Sequence, residues 1–391
     1  MKISILNAGQ QTDYLYGLVS GLAEIPTLEI EVVDSDSSVG MFEAFRHVSL
    51  FNLRGDNISP QSVFTKMWRI GRYYIRLLYY TASTRSDIFH IQWENSIALF
   101  DRTLLNLYYK LLGKKLVFTV HNVYREARDN TATPLRWFSL KVMYHLVDRI
   151  IVHTPKMKEE LGSLFRISLE KIIIIPHGIN NRVQKKGITQ EEARRRLGIV
   201  PTVRVVLFFG QIDEYKGIET LIDAAAILVQ KDPSIILIVA GKPKRQSDYV
   251  LKLKTQVEKS IPEKNVMLQL HFIPENEVET YFSAADCVVL PYKKIFQSGV
   301  LFLAYRFGVP IIATDVGSFS EDIIDGVTGF ICKPNNAEDM AAQLRKYFDS
   351  TLFHQREATR ASIVELAEKK YSWMDIGRRT YKVYTDLANH R

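Results

Sequence analysis

The residues best placed to do chemistry follow short apolar runs. After the run 203–210 comes Gly210-Gln211-Ile212-Asp213-Glu214-Tyr215-Lys216-Gly217, which opens a helical stretch. A helix N-terminus offers free N–H groups and the positive end of the dipole, which suits a phosphate. Gly210 permits close approach and Lys216 supplies a point charge. The Walker spacing is absent, so the same residues also read as a plain strand-to-helix turn with a solvated lysine. Phe296-Gln297-Ser298-Gly299-Val300 follows the run 287–291 and precedes the helical run 301–307. Gly299 stands at a helix start, where amides can hold a second phosphate and Ser298 can serve as N-cap. In the first half, Thr119-Val120-His121 ends an apolar run. A histidine there can hydrogen-bond a sugar hydroxyl or a leaving-group oxygen, or be a satisfied core histidine. His90 and His153 also fall on strands, and His90 reads as structural.

Other chemistries lack their signatures. Gly9-Gln10-Gln11-Thr12 follows the first strand with a single glycine, so a nicotinamide cofactor is unsupported. No H-E-x-x-H, G-x-S-x-G or zinc spacing occurs, and neither metal nor cofactor is expected. The stretch 57–86 has no acidic residue. On a helix, its Lys66, Arg69, Arg72 and Arg76 share an arc of roughly 120°. Met67, Ile70, Tyr74, Ile75, Leu77 and Leu78 fall on the other side, expected against the sheet. The arc reads as a solvated face, or as a patch for anionic lipid or a pyrophosphate-bearing acceptor. No nucleic-acid motif accompanies it, so nucleic acid is not an expected partner.

These residues need a frame, and the apolar pattern supplies one. Strands are expected at 2–7, 28–34, 48–52, 88–92, 116–121, 149–154 and 171–176. A second set is expected at 203–210, 235–240, 266–270, 287–291, 310–314 and 329–332. Most are continuous apolar runs, as in strands covered on both faces. Helical stretches such as 13–24, 61–80, 217–230, 249–259, 275–284 and 337–348 lie between them, the rhythm of βαβ units and a parallel sheet. The rhythm pauses near residue 180, where a polar stretch precedes the capping box Thr189-Gln190-Glu191-Glu192. A helical pattern closes the chain over 372–389. Two Rossmann-like halves are expected, with ligands beyond the carboxyl ends of their strands.

Composition agrees with a globular α/β protein: 391 residues, 47% hydrophobic and 24% charged. Lys plus Arg is 51 and Asp plus Glu is 43, a net charge of +8 that favours anionic partners. Cys287 and Cys332 make no disulfide framework and read as buried thiols in a reducing compartment. The first residues read as a strand and not as a signal peptide, and no run of 18 apolar residues occurs, so a cytoplasmic protein is expected.

The segments "IFHIQWEN", "LVFTVHNV", "KIIIIPHGIN", "VVLFFGQIDEYKGIETLIDAAAIL", "HFIPENEVETYFSAADCVVLPY" and "QSGVLFLAYRFGVPIIATDVGSFSEDI", in this order, resemble the retaining glycosyltransferases of family 4. The resemblance spans essentially the whole chain. It implies the GT-B fold, two Rossmann-like doubly wound domains facing across a cleft. Residues 1–180 would bind the acceptor, 181–371 the nucleotide-sugar, and 372–391 would cross back to the first domain. By position, Lys216 resembles the lysine that holds the donor diphosphate. Ser298, Gly299 and Val300 resemble the loop whose backbone contacts it, and Gly210 lies beside them. Gln211 stands where the family often has arginine. Phe272 and Ile273 match the segment that meets the base, Gly9 would lie near donor and acceptor, and His121 resembles the active-site histidine near the donor sugar. Phe296 and Ala304 replace a frequent pair of glutamates, the second of which grips the ribose. Glu321 matches a common family glutamate without an assigned role.

The resemblance therefore implies transfer of a hexose from a nucleotide diphosphate sugar to a saccharide or lipid-linked acceptor in cell-surface polysaccharide synthesis. The enzyme would sit in the cytoplasm, in possible peripheral contact with anionic membrane. The missing glutamates keep two alternatives open: a non-catalytic GT-B partner subunit, and a GT-B nucleotide-sugar epimerase.

Overall fold

A computed structural model describes residues 1–8, 11–56, 62–95, 97–124, 132–244 and 248–389. The chain forms two compact units, Met1–Gly178 with Tyr371–Arg391, and Ile179–Lys370.

In the first unit, seven strands form a parallel sheet: β1 (Lys2–Leu6), β2 (Glu29–Asp34), β3 (Val48–Asn52), β4 (Ile88–Ile91), β5 (Lys115–Thr119), β6 (Arg149–Val152) and β7 (Ile172–Ile174). Their order is β3-β2-β1-β4-β5-β6-β7. Ile, Val and Leu dominate because most of the strands are buried along their length, and polar exceptions such as Ser4 and Glu31 are hydrogen-bonded. The order reverses between β1 and β4, the switch point at which such sheets bind ligands. The helix Trp373–Asn389 returns to pack on the helix Thr12–Ala23. Three glycines allow this approach. A Cβ on Gly17 would lie 2.0 Å from the Trp373 indole, one on Gly21 1.9 Å from the Trp373 carbonyl oxygen, and one on Gly377 2.3 Å from that of Gly21.

The helix Val63–Ser83 corrects one expectation. Its buried residues are Tyr73, Tyr74, Leu77, Tyr80 and Thr81. Met67 and Ile75, expected against the sheet, are exposed beside Lys66, Arg72 and Arg76, and so are Phe64 and Trp68. Only the C-terminal half of the helix reaches the sheet. There the Tyr80 hydroxyl meets Ser4 Oγ at 2.7 Å and donates to Glu31 at 2.6 Å. Periodicity shows which residues share a face but not how much of the helix has something to pack on. Among the described residues no helix is long and apolar enough to cross a membrane.

In the second unit, β8 (Arg204–Phe209), β9 (Ile235–Ala240), β10 (Val266–Gln269), β11 (Cys287–Leu290), β12 (Ile311–Thr314) and β13 (Gly329–Cys332) form a parallel sheet in the order β10-β9-β8-β11-β12-β13. A buried polar knot ties the amino ends of its central strands. Asp286 accepts from Arg194 at 2.8 Å and from the Val205 N–H at 2.7 Å. A buried charge of this kind is tolerated only when paired and hydrogen-bonded. Cys287 and Cys332 are free and buried.

Candidate functional site

The candidate residues of the second unit gather at the carboxyl ends of β8 and β11. Gly210 follows β8 with φ of 112°, which L side chains rarely adopt. A Cβ here would stand 3.2 Å from Val300 Cγ2 and 3.3 Å from Lys216 Nζ. Gly241, after β9, lies closer still: its Cβ would meet the Gly210 carbonyl oxygen at 1.9 Å. Lys216 ends a short turn, Glu214–Lys216, with Asp213 as N-cap, and Gly217 then starts the helix Ile218–Lys231. A lysine placed there folds back over the strand ends. Its side chain is buried, with residue exposure of 6%.

One buried tyrosine joins the two segments. Lys216 Nζ donates to the Tyr292 hydroxyl at 3.1 Å and lies 4.9 Å from that ring's centre. The Tyr292 hydroxyl meets Ser298 Oγ at 3.1 Å, and Ser298 Oγ accepts from the Val300 N–H at 3.3 Å. Gly299 opens the helix Gly299–Arg306, and a Cβ added to it would meet open space. The structure thus brings Gly210, Lys216, Ser298, Gly299 and Val300 into one cluster: an ammonium beside a helix N-terminus. Such donors suit a diphosphate. Gln211 points to solvent at its edge. Phe272 and Ile273 lie on the loop after β10, two strands from β8, the first 67% exposed and the second buried. Ala304 is fully buried in the helix that Gly299 opens.

In the first unit, histidines line up at neighbouring strand ends. His90 lies in β4, while His121, His153 and His177 follow β5, β6 and β7. His90 is saturated: its Nδ1 meets the Tyr384 hydroxyl at 2.5 Å and its Nε2 the Thr119 hydroxyl at 2.7 Å. His121 differs. Trp93 stacks on its ring at 4.8 Å and Tyr14 meets it edge-on at 4.6 Å. Its Nδ1 lies 3.2 Å from His153 Nε2, yet its Nε2 is buried without a hydrogen-bond partner. Burial first, then the imidazoles of His153, His177 and His90, holds His121 well below the usual histidine range. Burial also pushes His153 down to about 4 and His177 and His90 to about 3. The cluster is therefore neutral at pH 7.

A cavity of about 290 Å³ opens beside His121, lined also by Ala8, Arg54, Gln92, Trp93 and Asn122. Gln92 and Asn122 each hold a buried side-chain oxygen without a partner. Both residues line the cavity, and buried orphans of this kind call for a ligand or water to complete them. Gly9 lies outside the described residues. Lys66, Arg69, Arg72 and Arg76 lie on the helix Val63–Ser83 and are not among the residues lining this cavity. Among the described residues, no group of three or more His, Cys, Asp or Glu is arranged to hold a metal ion.

Sequence reasoning missed Tyr292, Gly241, Gln92 and Trp93. Tyr292 follows β11 directly, so the rule that ligands sit at strand ends points to it. Gln92 and Trp93 follow β4 in the same way. Gly241 carries a signal only once β9 is known to lie beside β8.

Comparison with known proteins supplies the wider setting. Residues 14–182 match the family model described as Glycosyltransferase Family 4, and residues 189–369 match Glycosyl transferases group 1. A D-inositol 3-phosphate glycosyltransferase of Corynebacterium aurimucosum is 27% identical over 293 residues, 70% of this chain and 66% of that protein. One from Pseudarthrobacter chlorophenolicus is 28% identical over 68% of this chain and 63% of its own length. The chain thus spans slightly less than two thirds of these relatives. In structure it resembles a sucrose-phosphate synthase from Thermosynechococcus elongatus, with TM-score 0.80, 18% identity and full coverage of both chains. It also resembles Anabaena HepE in complex with UDP, with TM-score 0.74, 17% identity, and 99% and 100% coverage. At such identities the likeness concerns the fold.

Proposed function

The chain belongs to the glycosyltransferases of group 1 and family 4 with the GT-B fold, and from that premise we propose that it is a retaining hexosyltransferase using a nucleotide diphosphate sugar. The observation that carries this reading is the cluster of Lys216, Tyr292 and Ser298 at the start of the helix Gly299–Arg306. Negative charge grows on the diphosphate as the glycosidic bond breaks. A fixed ammonium and oriented amides stabilise that charge without reorganising, and the reading calls for no metal or other cofactor. HepE, a protein of the same fold, was solved with UDP and with UDP-glucose, which supports a uridine donor.

The acceptor site of this reading is the cavity beside His121. Its orphan amide oxygens and the Trp93 indole suit a ring that bears hydroxyl groups. The acceptor is a saccharide, free or lipid-linked, in cell-surface polysaccharide synthesis. Lipid linkage is supported by the helix Val63–Ser83, which exposes Phe64, Met67 and Trp68 on one side and carries Lys66, Arg69, Arg72 and Arg76 on the other. An exposed apolar side flanked by a basic one suits an anionic lipid surface.

Thermal-shift titrations with UDP-, GDP- and ADP-sugars test the donor assignment. Binding raises stability by about 2.7 kcal/mol at a hundredfold excess over Kd. A second reading, a non-catalytic partner subunit, draws on Phe296 and Ala304, since Ala304 offers no group to a ribose. Absence of a shift with every nucleotide sugar favours it. Donor turnover to a new sugar nucleotide, with no acceptor product, favours an epimerase.

A further inference from the structure

Two imidazoles of the first unit, those of His153 and His121, form a hydrogen-bond relay that can run in one direction. His153 Nδ1 lies 3.0 Å from the Ile175 carbonyl oxygen. A carbonyl only accepts, so this nitrogen carries the proton. A neutral imidazole has one N–H, which leaves His153 Nε2 bare. That nitrogen lies 3.2 Å from His121 Nδ1. A bare nitrogen can only accept, so His121 Nδ1 carries its ring's proton. His121 Nε2 is then a lone-pair acceptor. It is buried, no protein atom bonds to it, and its residue lines the cavity.

Both rings are neutral because burial opposes their charged forms. Trp93 on one face and Tyr14 at the edge keep the His121 ring from turning.

We infer that His153 is a positioning residue: with the Ile175 carbonyl it holds His121 in the Nδ1–H tautomer, so that Nε2 accepts a hydrogen bond from a sugar hydroxyl and cannot donate one to a leaving phosphate oxygen. The inference rests on the proposed glycosyl transfer and sharpens it, because a histidine beside a reacting sugar could serve either role. Here the carbonyl at the end of β7 selects the first. The group that His121 recognises carries an O–H. A substrate whose hydroxyl there is replaced by hydrogen or an O-methyl group loses the contact.

The tautomer is read directly by ¹⁵N NMR of the full chain labelled on histidine, with the His121→Ala spectrum identifying the His121 signals. The expected pattern is a protonated Nδ1 and a bare Nε2. A proton on His121 Nε2 overturns the inference. Kinetics supply a second arm. His153→Leu removes the acceptor, and at saturating donor kcat falls about tenfold, the scale of one lost hydrogen bond, with donor KM within about twofold of wild type. His153→Gln keeps an oxygen to accept from His121 and an N–H for the Ile175 carbonyl, and restores most of kcat. Wild-type kcat in His153→Leu, or equal losses in both variants, overturns the inference. The NMR arm needs no turnover. If wild type binds no nucleotide sugar, the functional reading falls, while the relay is still judged by its tautomer.

Discussion

At the strand ends of the first unit the protein gathers neutral acceptors; at those of the second it gathers donors and positive charge. His121 Nε2 and the side-chain oxygens of Gln92 and Asn122 are lone pairs without partners. Lys216 and the start of the helix Gly299–Arg306 are the reverse. The sheets are alike, so the difference lies in the few residues just beyond each strand. One frame can therefore carry a site for hydroxyl protons and a site for phosphate oxygens. The units also differ in continuity. Ile179–Lys370 is a single stretch, whereas the first unit is completed by Tyr371–Arg391.

Removing residues 371–391 tests that second difference most severely. Trp373, Tyr384 and Leu387 are buried in the first unit. Trp373→Ala alone is expected to cost about 3–5 kcal/mol, and the truncation more. Hydrogen exchange should show lost protection in Met1–Gly178 and retained protection in Ile179–Lys370. Equal loss in both stretches would refute the division.

Acid should separate the units next. His90, His153 and His177 have folded values of about 3, 4 and 3, below the unfolded value of 6.5. Below pH 6.5 the unfolded chain therefore binds more protons than the folded one. Their contribution is complete above pH 6.5 and lost as pH falls toward 4, by up to about 1.4 kcal/mol per pH unit for each histidine. The described histidines of the second unit, His271 and His354, are exposed. Exchange at pH 7 and pH 5 should show the first unit opening earlier, and the opposite order would break the comparison.

Lys216→Ala should weaken nucleotide-sugar binding at least about tenfold, since hydrogen bonds to charged groups contribute about 1.5–3 kcal/mol. Calorimetry measures this, and unchanged affinity would remove Lys216 from the donor site. His121→Ala should leave donor affinity intact and lower kcat and kcat/KM together by about tenfold, the pattern of an interaction made in the transition state. A rise in KM at constant kcat would move His121 to ground-state binding.

The smallest effect concerns the helix Val63–Ser83. Each basic residue near an anionic surface contributes about 1 kcal/mol. Replacing Lys66, Arg69, Arg72 and Arg76 with Gln should abolish liposome flotation at low salt. Phe64→Ser with Trp68→Ser should reduce the part that survives high salt. Equal flotation of wild type and both variants would leave this surface without a membrane role.

The strands were legible from the residues alone. Each of the thirteen expected runs overlaps an observed strand, and twelve contain theirs whole, because strands buried along their length are mostly apolar. The parallel alternation, and the placing of Lys216, Ser298 and His121 after strands, were legible for the same reason. The helices Pro134–Leu146 and Pro155–Phe165 were not singled out, although Thr133 and Thr154 cap them before a proline. What a residue meets across the fold was settled only by tertiary structure. Tyr292 links Lys216 to Ser298, Gly241 makes room for Gly210, and the Ile175 carbonyl sets the proton on His153 and through it on His121. Local pattern records the surroundings of a residue along its own strand or helix. Hydrogen-bond direction, close backbone approach and the reach of a helix onto a sheet depend on neighbours distant in the chain, and exist only once the sheet has ordered them.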